Sequence, residues 1–269
     1  MPELPEVETV ARQLAPCLVG REIRRLEILD PLLHARRPPR VAGRRIESVR
    51  RSGKRVLLRL AAGPGGGGPL YLAVHLRMTG RLLWTDAPRI RREHLRARFR
   101  LDRGQLLFVD TRRFGTFHWY TTEREAAPSG RDPLDAGLTA EELAELLHGS
   151  SQNMKSWLLR QDRLVGLGNI YASEILHAAR VSPLREARSL TRVEARRVLA
   201  ATRRILQRAI RNCGTTFSDF QGARGVEGSY QRYLAVYDRA GEPCRRCRTA
   251  LERIVQQQRS TFYCPGCQC

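Results

Sequence analysis

Two pairs of cysteines near the end of the chain constrain its fold more than any other feature of the sequence. The pairs are Cys244-Arg-Arg-Cys247 and Cys264-Pro-Gly-Cys267, and residues 248–263 lie between them. This spacing is typical of a structural zinc site, in which four thiolates surround one Zn²⁺ at the ends of a β-hairpin. The metal stabilises a segment of about thirty residues that is too short to build its own core. An iron–sulfur cluster is the alternative, and a catalytic zinc is disfavoured because four thiolates leave no open position.

The remaining cysteines and the start of the chain indicate where the protein acts. Cys17, Cys213 and Cys269 lie outside the two pairs and are expected to be free thiols. Cysteines spaced for a metal favour a reducing compartment over a disulfide framework. The first residues are acidic and contain proline, unlike a signal peptide, and no run of about 18 apolar residues predicts a membrane span. We therefore expect a cytoplasmic, nucleoid-associated protein that does not enter a membrane.

The charge of the chain points to a polyanionic partner. Lysine and arginine together number 48 against 27 acidic residues, a formal net charge of +21. Such a charge attracts the phosphate backbone of nucleic acids, although a solvated basic surface or a ribosomal-type RNA binder would share it. Only Lys54 and Lys155 are lysines. Because lysine can lose its proton and arginine cannot, these two residues are candidates for chemistry that arginine cannot perform.

The first half of the chain predicts a helix followed by a β-sandwich. Val7, Val10, Ala11 and Leu14 lie on one helical face. After Gly20, short apolar or alternating runs separated by turn-forming residues are typical of strands in a sandwich. These runs are Arg45–Val49, Arg55–Leu60, Leu70–Leu76, Leu95–Leu101, Gln105–Val109 and Thr116–Tyr120.

The second half of the chain has a helical period. A turn-rich stretch, 127–133, separates the two halves, and the helices that the pattern predicts afterwards are Thr139–Leu147, Asn153–Gln161, Asn169–Ala179 and Leu190–Asn212. We therefore predict an α+β protein with four parts: a catalytic β-sandwich over 1–126, a linker over 127–138, a helical domain over 139–235 and a zinc finger over 236–269.

Five motifs occur in an order that resembles one family. They are Pro2-Glu-Leu-Pro-Glu-Val-Glu8, His75-Leu-Arg-Met78, Asp110-Thr-Arg-Arg-Phe-Gly115, Gly166-Leu-Gly-Asn-Ile-Tyr-Ala172 and the tetracysteine tail. Together they closely resemble the bacterial formamidopyrimidine-DNA glycosylases, which excise 8-oxoguanine and have AP-lyase activity. The resemblance implies a β-sandwich, a helix–two-turn–helix domain and a zinc finger, with double-stranded DNA that carries oxidised bases or abasic sites as the partner. We expect a monomer with one structural zinc that acts in base excision repair by β,δ-elimination.

The resemblance implies that Pro2 is the nucleophile once Met1 is removed. An α-amino group has a pKa of about 7.7–8.0, so part of it is neutral near pH 7, whereas lysine at about 10.4 would need strong tuning. Glu3 is carried over as the general acid/base that protonates the opening sugar ring. Glu6 shares its helical face and is a second catalytic candidate, with a contact to the helix dipole as the alternative.

Two basic residues match the family's proton donors. Lys54, in Ser52-Gly-Lys-Arg55, corresponds to the lysine of β-elimination, and Arg259 to the donor of δ-elimination. Since a guanidinium with a pKa above about 12 is a poor acid, we interpret Arg259 mainly as a phosphate clamp.

Met78, Arg112 and Phe114 match the residues that fill the space left by the flipped nucleotide. Methionine and phenylalanine supply apolar wedges, and arginine offers donors to the orphaned base. Cytosine presents two acceptors on its pairing edge and adenine presents a donor, so an arginine probe favours cytosine opposite the lesion.

The resemblance assigns the remaining DNA contacts to both halves of the chain. Asn169 and the amides of Gly166-Leu-Gly168 would bind phosphates at a helix N-terminus, and Glu174 would link the domains. Weaker contacts are expected from His75, His94, Lys155 and Tyr237.

The chain departs from the family where the damaged base would be covered. Gln221–Ser229 lacks the lysine and proline often present in that loop, and Arg77 replaces a usual glycine before Met78. An endonuclease VIII-like glycosylase for oxidised pyrimidines is the enzymatic alternative, but those relatives usually begin Pro-Glu-Gly-Pro-Glu. A non-catalytic zinc-finger DNA-binding protein is the other alternative, and the joint presence of Pro2, Glu3 and Lys54 disfavours it.

Overall fold

The computed structural model describes residues 1–33, 38–87, 93–215 and 228–269. It divides into two compact units, one formed by Met1–Ala127 with Asn212–Ser229 and the other by Pro128–Arg211 with Tyr230–Cys269. The division after Ala127 lies at the start of the predicted linker. The helical domain was predicted to be continuous over 139–235. In the structure, Asn212–Ser229 belongs to the first unit instead.

The first unit is a sandwich of two four-stranded antiparallel sheets and one long helix, α1 (Leu4–Leu18). One sheet has the order β1-β6-β7-β5 and the other the order β2-β3-β4-β8. The strands are β1 (Ile23–Ile28), β2 (Ile46–Ser52), β3 (Arg55–Leu60), β4 (Leu70–His75), β5 (Gly80–Thr85), β6 (Leu95–Leu101), β7 (Gln105–Asp110) and β8 (Thr116–Tyr120). A short helix, α2 (Glu123–Ala126), follows the last strand.

Alternating side chains of both sheets and one face of α1 share a single core. Val56, Leu72, Phe108 and Phe117 are 0–1% exposed, and Leu14 of α1 packs into the same cluster. Burying each such side chain contributes about 1.5–3 kcal/mol relative to exposure. The start of α1 is therefore held against the sandwich.

The predicted α+β class and the six predicted strands are confirmed, and two strands were not predicted. In β1, Ile23-Arg-Arg-Leu-Glu-Ile28 places two arginines together and breaks the alternation that indicates a strand. Glu27 instead pairs across the sheet with Arg100, Nε to Oε1 at 2.9 Å. β5 begins at Gly80, a residue that usually weakens a strand.

The second unit combines four helices with a zinc-finger hairpin. The helices are α3 (Ala140–His148), α4 (Met154–Leu159), α5 (Asn169–Ala179) and α6 (Arg192–Arg211), and the hairpin strands are β9 (Glu252–Gln256) and β10 (Arg259–Tyr263). All four predicted helices are confirmed. Thr139 caps α3 by accepting a hydrogen bond from the Glu142 amide at 3.1 Å.

Membrane insertion of a helix finds no support in the fold. Among the residues that the structure describes, no helix combines the length and the apolar character that crossing a bilayer requires.

Candidate active site

The first turn of α1 holds the predicted nucleophile and its neighbouring carboxylate in a buried position. Pro2 is buried, and Glu3, 3% exposed, is the N-cap residue of the helix. The Glu3 amide donates a hydrogen bond to Oε2 of Glu6 at 2.9 Å. This bond fixes the peptide unit that joins Pro2 to Glu3.

The other oxygen of Glu6 binds a segment that follows α6. Oε1 accepts hydrogen bonds from the Thr215 amide at 2.8 Å and from its hydroxyl at 3.1 Å, and Glu6 is 2% exposed. Gly214, with a φ of +79°, allows this approach, because a Cβ there would lie 2.5 Å from Oε1. Both oxygens of Glu6 are thus engaged in positioning main chain. Thr215 was not singled out from the sequence.

Lys54 lies in the tight turn between β2 and β3. Gly53 in this turn has a φ of +59°, and Lys54 is 8% exposed. The turn is tied to α1 by Arg51, whose Nε donates to Oε2 of Glu8 at 2.9 Å. Burial keeps the Lys54 side chain within the unit that also carries Pro2.

His75 ends β4 next to this turn, directly across the sheet from Arg55. Burial lowers the pKa of His75 to about 3, and the nearby positive charges of Arg77, Lys54 and Arg55 add to this shift. The imidazole is therefore neutral at physiological pH. Its Nδ1 accepts a hydrogen bond from the Arg77 amide at 3.1 Å, which leaves the Nε2 position to carry the proton.

The three predicted wedge residues lie on two loops of the first unit. Met78 follows β4, and Arg112 and Phe114 follow β7; Met78 is 46% and Phe114 49% exposed. The Arg112 guanidinium lies over the Phe114 ring at 4.8 Å from its centroid. Exposed apolar side chains next to an arginine form a surface suited to insertion into a base stack. His94, with a φ of +60°, is partly exposed before β6.

In the second unit, Asn169 lies where a glycine-rich turn feeds α5. Gly166 has a φ of +91°, and Gly168 is the N-cap residue, with no side chain to cover the helix start. The Asn169 amide group donates to the Ser260 carbonyl of β10 at 2.8 Å, so this residue ties the turn to the finger hairpin.

Direct contact of Lys155 with DNA is not supported. Lys155 is 1% exposed, and its ammonium group donates to the Asn169 carbonyl at 2.8 Å and the Ser173 hydroxyl at 2.6 Å. These bonds hold α4 against α5. The sequence offered no sign of this burial, because a lysine in a basic chain is normally solvated.

Glu174 binds the main chain where the predicted helical domain meets the predicted finger. Its carboxylate accepts hydrogen bonds from the amides of Ala235, Val236 and Tyr237 at 2.8–2.9 Å, all within the second unit. Tyr237, partly buried, packs edge-on against Phe262 at 5.0 Å between centroids. Glu174 therefore joins α5 to the start of the finger.

The four predicted zinc ligands converge at the base of the hairpin. The sulfur atoms of Cys244, Cys247, Cys264 and Cys267 all lie within 4.8 Å of one another. A Zn–S distance of about 2.3 Å in a tetrahedron corresponds to sulfurs about 3.8 Å apart, and two pairs measure 3.9 and 3.4 Å. The site fits one structural zinc, as predicted.

The hairpin turn presents the remaining predicted site residue. Gln257 and Gln258 have φ values of +47° and +58°, as a tight two-residue turn requires. Arg259 follows at the first position of β10 and is exposed. Of the predicted base-covering loop, residues 221–227 lie outside the described residues.

Comparison with known families matches the chain in three parts. Residues 1–117 match the formamidopyrimidine-DNA glycosylase N-terminal domain, residues 129–221 the H2TH domain of the same family, and residues 241–268 the zinc finger found in FPG and IleRS.

Individual relatives match over the whole chain. A formamidopyrimidine-DNA glycosylase of Symbiobacterium thermophilum is 44% identical over 100% of this chain and 89% of its own length. The MutM (Fpg) crystal structure from Thermus thermophilus has a TM-score of 0.87 at 39% identity, covering 99% of this chain and 98% of that one. The Lactococcus lactis Fpg complex with abasic-site DNA has a TM-score of 0.87 at 30% identity, covering 99% of both chains. On the strength of these whole-length matches, the chain belongs to the formamidopyrimidine-DNA glycosylase family and is a DNA glycosylase.

Proposed function

We propose that this glycosylase excises 8-oxoguanine and formamidopyrimidines from double-stranded DNA and then cleaves the strand by β,δ-elimination, with Pro2 as the nucleophile. The buried first turn of α1, where Glu6 fixes the Pro2–Glu3 peptide unit, is the observation that carries this proposal. Removal of Met1 is required, because the proline nitrogen must be a free secondary amine. We also propose that the enzyme is associated with the nucleoid, because its substrate is DNA.

Pro2 suits this chemistry because its amine can be neutral and nucleophilic without a large shift in pKa. Attack of the nitrogen on C1′ of the sugar breaks the glycosidic bond, and the base departs with a proton. The resulting iminium ion keeps its positive charge at any pH and accepts electrons when the 2′ proton is lost and the 3′ phosphate leaves. A second elimination releases the 5′ phosphate.

Glu3 is the general acid/base of this scheme, and Glu6 is a positioning residue. Glu3 directly follows Pro2 as the N-cap residue of α1, and in this scheme its carboxyl group protonates the opening sugar. The oxygens of Glu6 already accept three hydrogen bonds. We therefore revise the catalytic role predicted for Glu6 from the sequence.

Basic groups supply protons and bind phosphates around the lesion. Lys54 donates a proton in β-elimination, and Arg259 clamps a phosphate from the tip of the finger hairpin. Neutral His75 donates from Nε2 to a phosphate oxygen. Asn169, with the turn before α5, His94 and Tyr237 bind the backbone further along the strand.

Met78, Arg112 and Phe114 fill the vacancy left by the extruded nucleotide. Their exposure on two adjacent loops of the sandwich supports this role. The solved Lactococcus lactis relatives include a complex with Fapy-dG-containing DNA, formed by a mutant of that protein, and we extend this class of lesion to the present chain.

Borohydride trapping on 8-oxoguanine:C DNA, followed by peptide mapping, tests the nucleophile. The chain has only three aliphatic amines, the α-amine, Lys54 and Lys155, so the mapped adduct identifies the attacking group unambiguously. We expect the adduct on Pro2, and its loss in protein that retains Met1. An adduct on Lys54, or no adduct with the wild type, would contradict the proposal.

The rate of excision from different duplexes tests the substrate class. We expect faster release of 8-oxoguanine from its duplex with cytosine than of thymine glycol from its duplex with adenine. The reverse order would favour the endonuclease VIII-like alternative. Glu3→Gln should abolish trapping on both duplexes, and Glu123→Gln, at an exposed position of α2, is the control.

A further inference from the structure

The two loops that carry the wedge residues are joined by one buried carboxylate. Asp110 ends β7 and is 1% exposed. Its Oδ1 accepts hydrogen bonds from the Thr79 hydroxyl and from the Arg112 amide at 3.2 Å, and its Oδ2 accepts one from the Gly115 amide at 2.8 Å. Thr79 follows Met78, and Arg112 and Gly115 flank Phe114. A single side chain thus binds both loops.

The hydroxyl of Thr79 closes this arrangement. Its Oγ1 also accepts a hydrogen bond from the Arg112 amide at 3.1 Å. The Arg112 N–H is therefore shared between Thr79 and Asp110. Gly115 has no space for a side chain, because a Cβ would lie 2.4 Å from the Phe108 ring and 3.1 Å from Oδ2 of Asp110. A side chain at this position would therefore displace the loop from the carboxylate.

A second carboxylate fixes the same loop from its side. Asp30, 4% exposed, binds Arg113 through two hydrogen bonds of 2.7 and 2.8 Å, although Arg113 has a φ of +60°. A bidentate pair of this kind is directional as well as strong. With Arg113 tied to Asp30, its neighbours Arg112 and Phe114 are left exposed, with the guanidinium over the ring.

We propose that Asp110, acting through Thr79, is a positioning residue for damage recognition, which sets the Met78 loop and the Arg112–Phe114 loop in one fixed relation. Burying a carboxylate costs free energy unless donors satisfy it, and among the described residues the three donors to Asp110 all come from the loops that carry Met78 and Arg112–Phe114. An arginine probe distinguishes the orphaned base only if its donors are held in place. This inference rests on the proposed function. It adds that Asp110 is the residue through which the enzyme favours cytosine over adenine opposite the lesion.

Thr79→Val tests the inference, since it removes the hydroxyl and keeps the size of the side chain. We expect faster hydrogen exchange of the Arg112 and Gly115 amides in the free protein. We also expect the ratio of kcat/KM for 8-oxoguanine:C over 8-oxoguanine:A to fall about tenfold, which corresponds to about 1.4 kcal/mol. Thr79→Ser should restore both.

Thr85→Val is the matched control, because Thr85 ends β5, the strand that follows Thr79, and its hydroxyl accepts a local hydrogen bond from the Ala87 amide at 3.2 Å. It should change neither the two amides nor the ratio. Unchanged amide exchange in Thr79→Val, or faster exchange with an unchanged ratio, would overturn the inference. A wild type that excises 8-oxoguanine from neither duplex would instead contradict the proposed function. The exchange rates of the Arg112 and Gly115 amides would still test whether Asp110 and Thr79 hold the two loops.

Discussion

The carboxylate of Glu6 is hydrogen-bonded to the backbone and hydroxyl of Thr215, a residue 209 positions away in the chain. Its other oxygen holds the Glu3 amide. One side chain thus connects the peptide unit behind the proposed nucleophile to the segment that follows α6. A substitution near Thr215 should therefore alter the position of the Pro2–Glu3 peptide unit, and a substitution at Glu6 should alter the segment that contains Thr215.

Glu6→Gln should weaken the connection without changing the size of the side chain. A carboxamide has only one acceptor oxygen, so a buried N–H loses its partner, which costs about 1–3 kcal/mol of unfolding free energy. We expect slower Schiff-base formation with an unchanged shape of the pH–rate profile, because Glu6 positions and does not transfer a proton. Urea unfolding and single-turnover trapping between pH 5 and 9 measure both effects.

Glu123→Gln, on α2 of the same unit, provides the matched control. Glu123 pairs with Arg50 at the surface, where both side chains are about half exposed and such pairs contribute about 0–1 kcal/mol. Loss of one limb of the pH–rate profile in Glu6→Gln would show instead that Glu6 acts as an acid or base.

Gly214→Ala should be far more damaging than the same change at another left-handed glycine. At Gly214 the new Cβ would lie 2.5 Å from Oε1 of Glu6, in addition to the strain of a φ of +79°. Gly20 has a φ of +85° and no heavy atom within 4 Å of the added Cβ. We expect Gly20→Ala to cost about 1–2 kcal/mol and Gly214→Ala clearly more, with loss of trapping. Equal unfolding free energies for the two variants would refute the close contact.

The sequence indicated which residues to consider at the site but not the bonds that connect them. Pro2 was predicted from the motif resemblance, Lys54 from that resemblance and the scarcity of lysine, and the four cysteines from their spacing. The bonds from Glu6 to Thr215 and from Asp30 to Arg113 join distant residues. Neither pair has a local pattern, so a single sequence contains no signal for them.

Burial was the other property that local patterns did not predict. Lys155 was predicted from the family resemblance to contact DNA, yet the Asn169 carbonyl and the Ser173 hydroxyl bind its ammonium group in the interior. Strand β1 escaped prediction because its two arginines are adjacent rather than alternating with apolar residues, and its Glu27 pairs across the sheet with Arg100.

The pKa of His75 makes the stability of the protein depend on pH in a defined direction. In the folded protein this pKa is about 3, against 6.5 as the ordinary value. The unfolded chain therefore binds the proton first, and the contribution of neutral His75 is complete above pH 6.5 and is lost as the pH falls from 6.5 towards 3. Relative to His75→Gln, the wild type should lose unfolding free energy between pH 7 and 5. The difference should be constant above pH 7, and a constant difference throughout would contradict this assignment.

Removal of zinc should disorder the finger and spare the sandwich. The hairpin depends on four thiolates, and the Asn169 bond to Ser260 depends on the hairpin. A strong chelator should therefore weaken DNA binding and increase hydrogen exchange over 244–267, while the amides of β3 and β4 stay protected. Cys247→Ser should reproduce the effect, and Cys269→Ser, outside the ligand set, should not. Unchanged exchange after complete removal of zinc would contradict a structural role for the metal.

His177 connects the zinc site to α5 and should slow the release of the metal. It is 5% exposed, and its Nε2 lies 3.5 Å from Sγ of Cys244, within hydrogen-bonding reach of a thiolate. An imidazole N–H at this position stabilises the charge on a ligating sulfur and holds the ligand in place. His177→Ala should therefore lose zinc to a chromogenic chelator about ten times faster than the wild type. The exposed His148 at the end of α3 provides the control, since His148→Ala should release zinc at the wild-type rate. Equal rates for the two variants would show that His177 packs against the finger without supporting the metal.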